Sequence, residues 1–182
     1  MSLFSILPLL LLQAGAGDVP LDSAATPPAC DTPAHAAFDF WVGEWDVYPL
    51  DAKGEQGKDK VAESRIERLH AGCAIRESWM PLKGDGGSSL SNLDPHTGLW
   101  HQTWIGAAPG RVEFSGGPPS EDAMVLTGWW PAVGGPGKDA WVRMTYTRRD
   151  DGSVRQHGEL SEDHGLTWGP AFDLLYRPKP AD

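Results

Sequence analysis

The side chain best placed to do chemistry in this sequence is a carboxylate. Read as a strand, residues 73–81 put Cys73, Ile75, Glu77 and Trp79 on one face and Ala74, Arg76 and Ser78 on the other, because side chains alternate along a strand. A glutamate among apolar neighbours has two fates. Matched with Arg143 it forms a buried ion pair, costly unless hydrogen-bonded. Left alone, its pKa rises and it becomes a candidate acid or base.

Three other stretches carry the same mixture. Over 99–105, Trp100, Gln102 and Trp104 share a face, opposed by Leu99, His101, Thr103 and Ile105. Over 140–148, Trp141, Arg143, Thr145 and Thr147 oppose Val142, Met144 and Tyr146. Over 154–161, Val154, Gln156, Gly158 and Leu160 oppose Arg155, His157 and Glu159. A solid core would show a cleaner apolar stripe. Aromatics mixed with single amides or charges describe the wall of a ligand cavity. The candidate ligand-binding set is therefore Glu77, Trp79, Gln102, Trp104, Arg143 and Gln156, holding a small, partly apolar molecule between the two indoles. A packed sandwich with tryptophan at its rim is the competing reading.

Other chemistries find less support. There is no HExxH, and the six histidines are scattered singly. His101 and His157 fall on outward faces of strands distant in the predicted order, which argues against a metal site. An axial haem ligand would have to be His101, His157 or His164, and none is assigned to the interior. No GxSxG elbow is present, and Ser88-Ser89 reads as part of a glycine-rich loop. The sequence thus assigns no catalytic residue, no metal and no cofactor.

The elements that must carry these residues are short strands. Candidates span 44–50, 60–69, 73–81, 88–93, 99–105, 111–115, 123–130, 140–148, 154–161 and 171–177. Turn chemistry separates them, as in Asp94-Pro95-His96-Thr97-Gly98 and Asp150-Asp151-Gly152-Ser153. Strands joined by short turns pair antiparallel, since parallel neighbours need a long crossover. The expected fold is all-β: an antiparallel up-and-down barrel of about ten strands, whose closure removes bare edges. Thr32-Pro33 predicts a short N-terminal helix over 34–41, with Phe38 and Trp41 on one face.

Residues 3–12, LFSILPLLLL, are too few to span a bilayer, and Ala14-Gly15-Ala16 follows as a small-residue exit. They read as a secretory signal at 1–16, although the n-region lacks Lys and Arg; a buried N-terminal strand is the alternative. A flexible lead-in at 17–31 follows, then the barrel domain at 32–182. The expected location is periplasmic or secreted, with no membrane insertion once the signal is removed. In an exported chain the two cysteines, Cys30 and Cys73, suggest a disulfide; otherwise they are two free buried thiols. The formal net charge of -10, without a Lys/Arg cluster, argues against nucleic acid and anionic membranes as partners.

At 38–47 the chain reads FDFWVGEWDV. This resembles the FDFWxGEWDV opening of a bacterial family of exported proteins of unknown function with a lipocalin-like, or calycin, barrel. Arg65-Ile66-Glu67, Gly72-Cys73 with Glu77 and Trp79, Asp94-Pro95 to Trp100, Gln102-Thr103-Trp104, 152–156, and Thr167-Trp168 with Phe172, Asp173 and Tyr176 extend the likeness over roughly 30–177. The resemblance implies a barrel whose Gly43-x-Trp45 packs across the floor; it implies no activity. In one departure, Gly158 stands where the family pattern has tryptophan, which implies open space or a bulge. Residues 161–168, SEDHGLTW, resemble the Asp-box hairpin of sialidases, and one copy reads as a structural turn.

Three functions follow in order. The first is binding of a small molecule in the lumen. The second is an enzyme using the same cavity, with Glu77 as acid or base. The third is a structural or protein-interaction module presenting Trp129-Trp130-Pro131 as an apolar patch.

Overall fold

A computed structural model describes residues 30–180, so the expected signal at 1–16 and most of the expected lead-in at 17–31 lie outside the described residues. Ten strands follow one another: β1 (Gly43–Pro49), β2 (Ala62–Leu69), β3 (Ala74–Pro81), β4 (Gly87–Asp94), β5 (Leu99–Ile105), β6 (Val112–Ser120), β7 (Ala123–Trp130), β8 (Ala140–Arg148), β9 (Val154–Ser161) and β10 (Gly169–Pro178). Each pairs antiparallel with its sequence neighbours, and β10 returns to β1, aligning Tyr176 with Val47. The sheet is a closed barrel, not a packed sandwich. Every backbone ladder is thereby shared by two strands.

The expected helix over 34–41 is replaced by turns and one 3-10 turn, Asp39–Trp41. His35 N and Ala36 N bond Thr32 O at 2.9 and 3.1 Å, so the turn starts where expected but does not propagate. A helix this short gains little from its own ladder. Packing decides instead, because Phe38 and Trp41 both reach 0% exposure. Their rings stack at 5.0 Å, and Tyr146 meets them at 5.0 and 4.8 Å. The Trp45 indole donates to Trp41 O at 3.0 Å. This aromatic plug closes the end of the barrel where β1 begins.

Cys30 and Cys73 are joined by a disulfide, which ties the plug to the β2–β3 connection. Arg68, at the end of β2, strengthens the tie by donating to Cys30 O at 3.0 Å and pairing with Asp39. A disulfide of this kind fits an oxidising compartment.

The sixth strand runs further than expected, through Gly116, Gly117, Pro118 and Pro119. These residues read as breakers, yet the β6–β7 register shifts between Gly117 and Ser120, so the prolines fall in the irregular stretch where no ladder donor is needed. The SEDHGLTW segment forms the β9–β10 turn. Asp163 Oδ1 accepts from Ser161 Oγ at 2.7 Å and from Thr167 N at 2.9 Å, which makes it a structural turn.

Candidate functional site

Above the plug the barrel is hollow. A cavity of about 190 Å³ opens between the strands, and Glu77, Gln102 and Gln156 contribute its polar lining. Its aromatic lining is Trp79, Trp104, Phe114 and Trp130 from β3, β5, β6 and β7, with Tyr146 from β8 and Phe172 and Tyr176 from β10. Trp79, Trp104 and Trp130 also line a second space of about 300 Å³ beneath the β5–β6 loop, so the indoles form a neck between lumen and mouth.

Alternation fixes the inner positions, and register joins the polar ones into a network. Glu77 lies opposite Ser89, Ser91 opposite Gln102, and Tyr146 opposite Gln156. Ser89 Oγ donates to Glu77 Oε2 at 3.1 Å, and Ser64 Oγ lies 3.4 Å from Oε1. Gln102 Nε2 donates to Ser91 Oγ at 3.2 Å. Tyr176 OH donates to Gln156 Oε1 at 2.7 Å, while Gln156 Nε2 donates to Tyr146 OH at 3.0 Å. Burial pushes the Glu77 carboxyl up to about 7, against the opposing pull of the Ser89 and Ser64 hydroxyls. Burial, and then the nearby Glu77 charge, keep both tyrosines protonated well above the usual phenol range.

Five of the six residues chosen from sequence line this cavity; Arg143 does not. On β8 the inward residues are Val142, Met144 and Tyr146, so alternation sends Arg143 outside. There its Nε bonds Glu159 at 2.8 Å and its guanidinium lies 4.2 Å from the Trp168 ring centre. The expected Glu77–Arg143 pair is therefore not formed, and among the described residues the carboxylate has no counter-charge. Ser89 belongs to β4, as the candidate strand 88–93 has it and not the glycine-rich loop reading, and it holds Glu77.

No family model matches the chain, and no curated protein matches it. What the site can do must come from its own geometry. The three histidines weighed for metal or haem stand off the cavity lining. His157 Nδ1 is 3.3 Å from an Asp173 oxygen, and His164 stacks on Trp129. The Trp129-Trp130 patch is divided between two faces: Trp130 lines the neck, whereas Trp129 packs outside against Trp141 at 6.0 Å.

Gly158 neither leaves open space nor bulges its own strand. The Phe172 ring of β10 covers it, and a Cβ there would come within 2.4 Å of that ring. The irregularity falls on β10, between Pro170 and Phe172. Gly158→Ala is expected to push Phe172 toward the lumen and to cost about 1–3 kcal/mol by overpacking. Urea titration of the variant checks this; an unchanged midpoint would show that the ring has room to yield.

Proposed function

We propose that the chain is an exported, calycin-like barrel, working in the periplasm or outside the cell, that binds one small, partly apolar molecule in its lumen. The observation carrying this reading is the cavity of about 190 Å³ inside a closed barrel, apolar in most of its lining and crossed by a few fixed polar groups. A cavity of about 150 Å³ can hold a benzene ring. The leader-like N-terminus and the disulfide support export. The resemblance of residues 38–47 to the exported family supports the calycin assignment.

Titration with one-ring compounds tests the reading through tryptophan fluorescence, since three indoles line the neck. Saturable 1:1 binding is expected, lost when Leu174→Trp fills the lumen and kept in Arg143→Ala, whose side chain is outside. Binding that survives the filled lumen would refute it.

The enzyme reading keeps one favouring observation: a buried carboxyl that titrates near neutrality, as a general acid or base must. It requires activity that falls in Glu77→Gln and follows an ionisation near pH 7. A turnover whose pH profile is the same in that variant removes it.

A further inference from the structure

We propose that the lumen is built for a small organic cation, a primary amine carried on a single ring, with its ammonium group against Glu77. This rests on the lumen being a binding site and names the chemistry of its guest.

The argument begins with charge. Glu77 is 94% buried by its 6% exposure, faces the cavity, and forms no ion pair among the described residues. The groups turned toward it are Ser64 on β2, Ser89 on β4, Gln102 on β5, Tyr146 on β8, Gln156 on β9 and Tyr176 on β10. All six are uncharged, and the two tyrosines stay protonated far above neutrality. Among the described residues the only charge lining the lumen is therefore a carboxylate waiting for a positive partner. A buried ion pair ordinarily gains little because both charges must shed water. Here folding has already buried Glu77, so the cost that remains for binding is mainly the guest's own loss of hydration.

The walls supply what an ammonium group needs after that loss. A cation over an aromatic face is attracted by the ring's quadrupole, most strongly with tryptophan. Seven of the twelve lining residues are aromatic, three of them Trp. An anion would meet Glu77 as a like charge, and a purely apolar guest would bury the carboxylate further with nothing to satisfy it. The net charge of -10 also favours the approach of cations. Size fixes the body: about 190 Å³ exceeds the space that holds benzene by the room for a short arm.

Calorimetry with 2-phenylethylamine and its neutral isostere 2-phenylethanol tests the proposal on the purified protein. At pH 8 the amine should bind at least about tenfold more tightly. On going to pH 5, free Glu77 gains a proton while the amine stays charged. The amine's affinity should then fall by up to about tenfold per pH unit below 7, and that of the alcohol should not change. Glu77→Gln should erase the amine's advantage and leave the alcohol. Equal binding of the two at pH 8, with no pH dependence in the unaltered protein, overturns the amine assignment while leaving lumenal binding intact. Failure of both compounds to bind overturns the two together.

Discussion

Replacing both Cys30 and Cys73 with alanine is expected to lower the stability of the barrel by about 4 kcal/mol, because their link closes a loop with a sequence separation of 43. For a domain of this length such a loss corresponds to a fall in Tm of about 10 °C or more. The position of the bridge says how the loss is expressed. Residues 30–42 have no strand of their own; they are held by the disulfide, by Arg68 reaching Cys30 O and Asp39, and by the burial of Phe38 and Trp41. Once the bridge is gone, the plug can leave the barrel end without the strands separating. Hydrogen exchange should therefore quicken over 32–42 before it quickens in β3–β5. Reduction of the unaltered protein should reproduce both effects. A Tm within about 2 °C of the parent would show that the plug is held by its rings alone.

The sequence made some of this architecture legible and hid the rest for a definable reason. Turn residues located nearly every strand, because a barrel of consecutive hairpins puts its punctuation in the chain itself. Alternation grouped Glu77 with Trp79 and Gln102 with Trp104 correctly, as the lining confirms. What alternation cannot supply is the choice of which face turns inward when both are mixed. On β8 one face offered Trp141 and Arg143, the other Met144 and Tyr146. A hollow interior accepts polar groups, while outside Trp141 has Trp129 to pack on, so hydrophobicity did not separate them. Ser64, Ser89 and Ser91 were hidden for a different reason. A serine looks like a turn or a surface residue until register sets it opposite a buried partner, as β4 sets Ser89 opposite Glu77. The plug was legible in its residues and not in its conformation, because its burial is decided by the barrel end it enters.

The protein is expected to lose stability as pH rises through the range where most acidic proteins gain it, and Glu77 is the cause. Its carboxyl ionises at about 7 in the folded barrel and near 4.5 in the unfolded chain. Below about 4.5 it is protonated in both states and contributes nothing to the pH dependence. Between 4.5 and 7 the unfolded chain has released the proton and the folded one retains it, so each pH unit favours unfolding by about 1.4 kcal/mol. Above 7 both are ionised, and the accumulated loss is about 3 kcal/mol. On the acid side Glu63, Asp151 and Asp163 act in the opposite sense. Hydrogen bonds hold each at about 2, with ion pairs added at Glu63 and Asp151, so what they contribute is present at neutral pH and lost as pH falls toward that value. The stability maximum should consequently lie near pH 4–5. Glu77→Gln keeps one acceptor oxygen for one serine, turns its amide N–H to the other, whose hydroxyl can accept, and removes the ionisation. It should match the parent at pH 4.5 and exceed it by about 3 kcal/mol at pH 8, read from urea titrations at the two pH values. Curves for parent and variant that stay parallel between them would mean that water or another group already neutralises the carboxylate. An amine guest bound at pH 8 should close the same gap in the parent, since it provides the counter-charge that the fold leaves out.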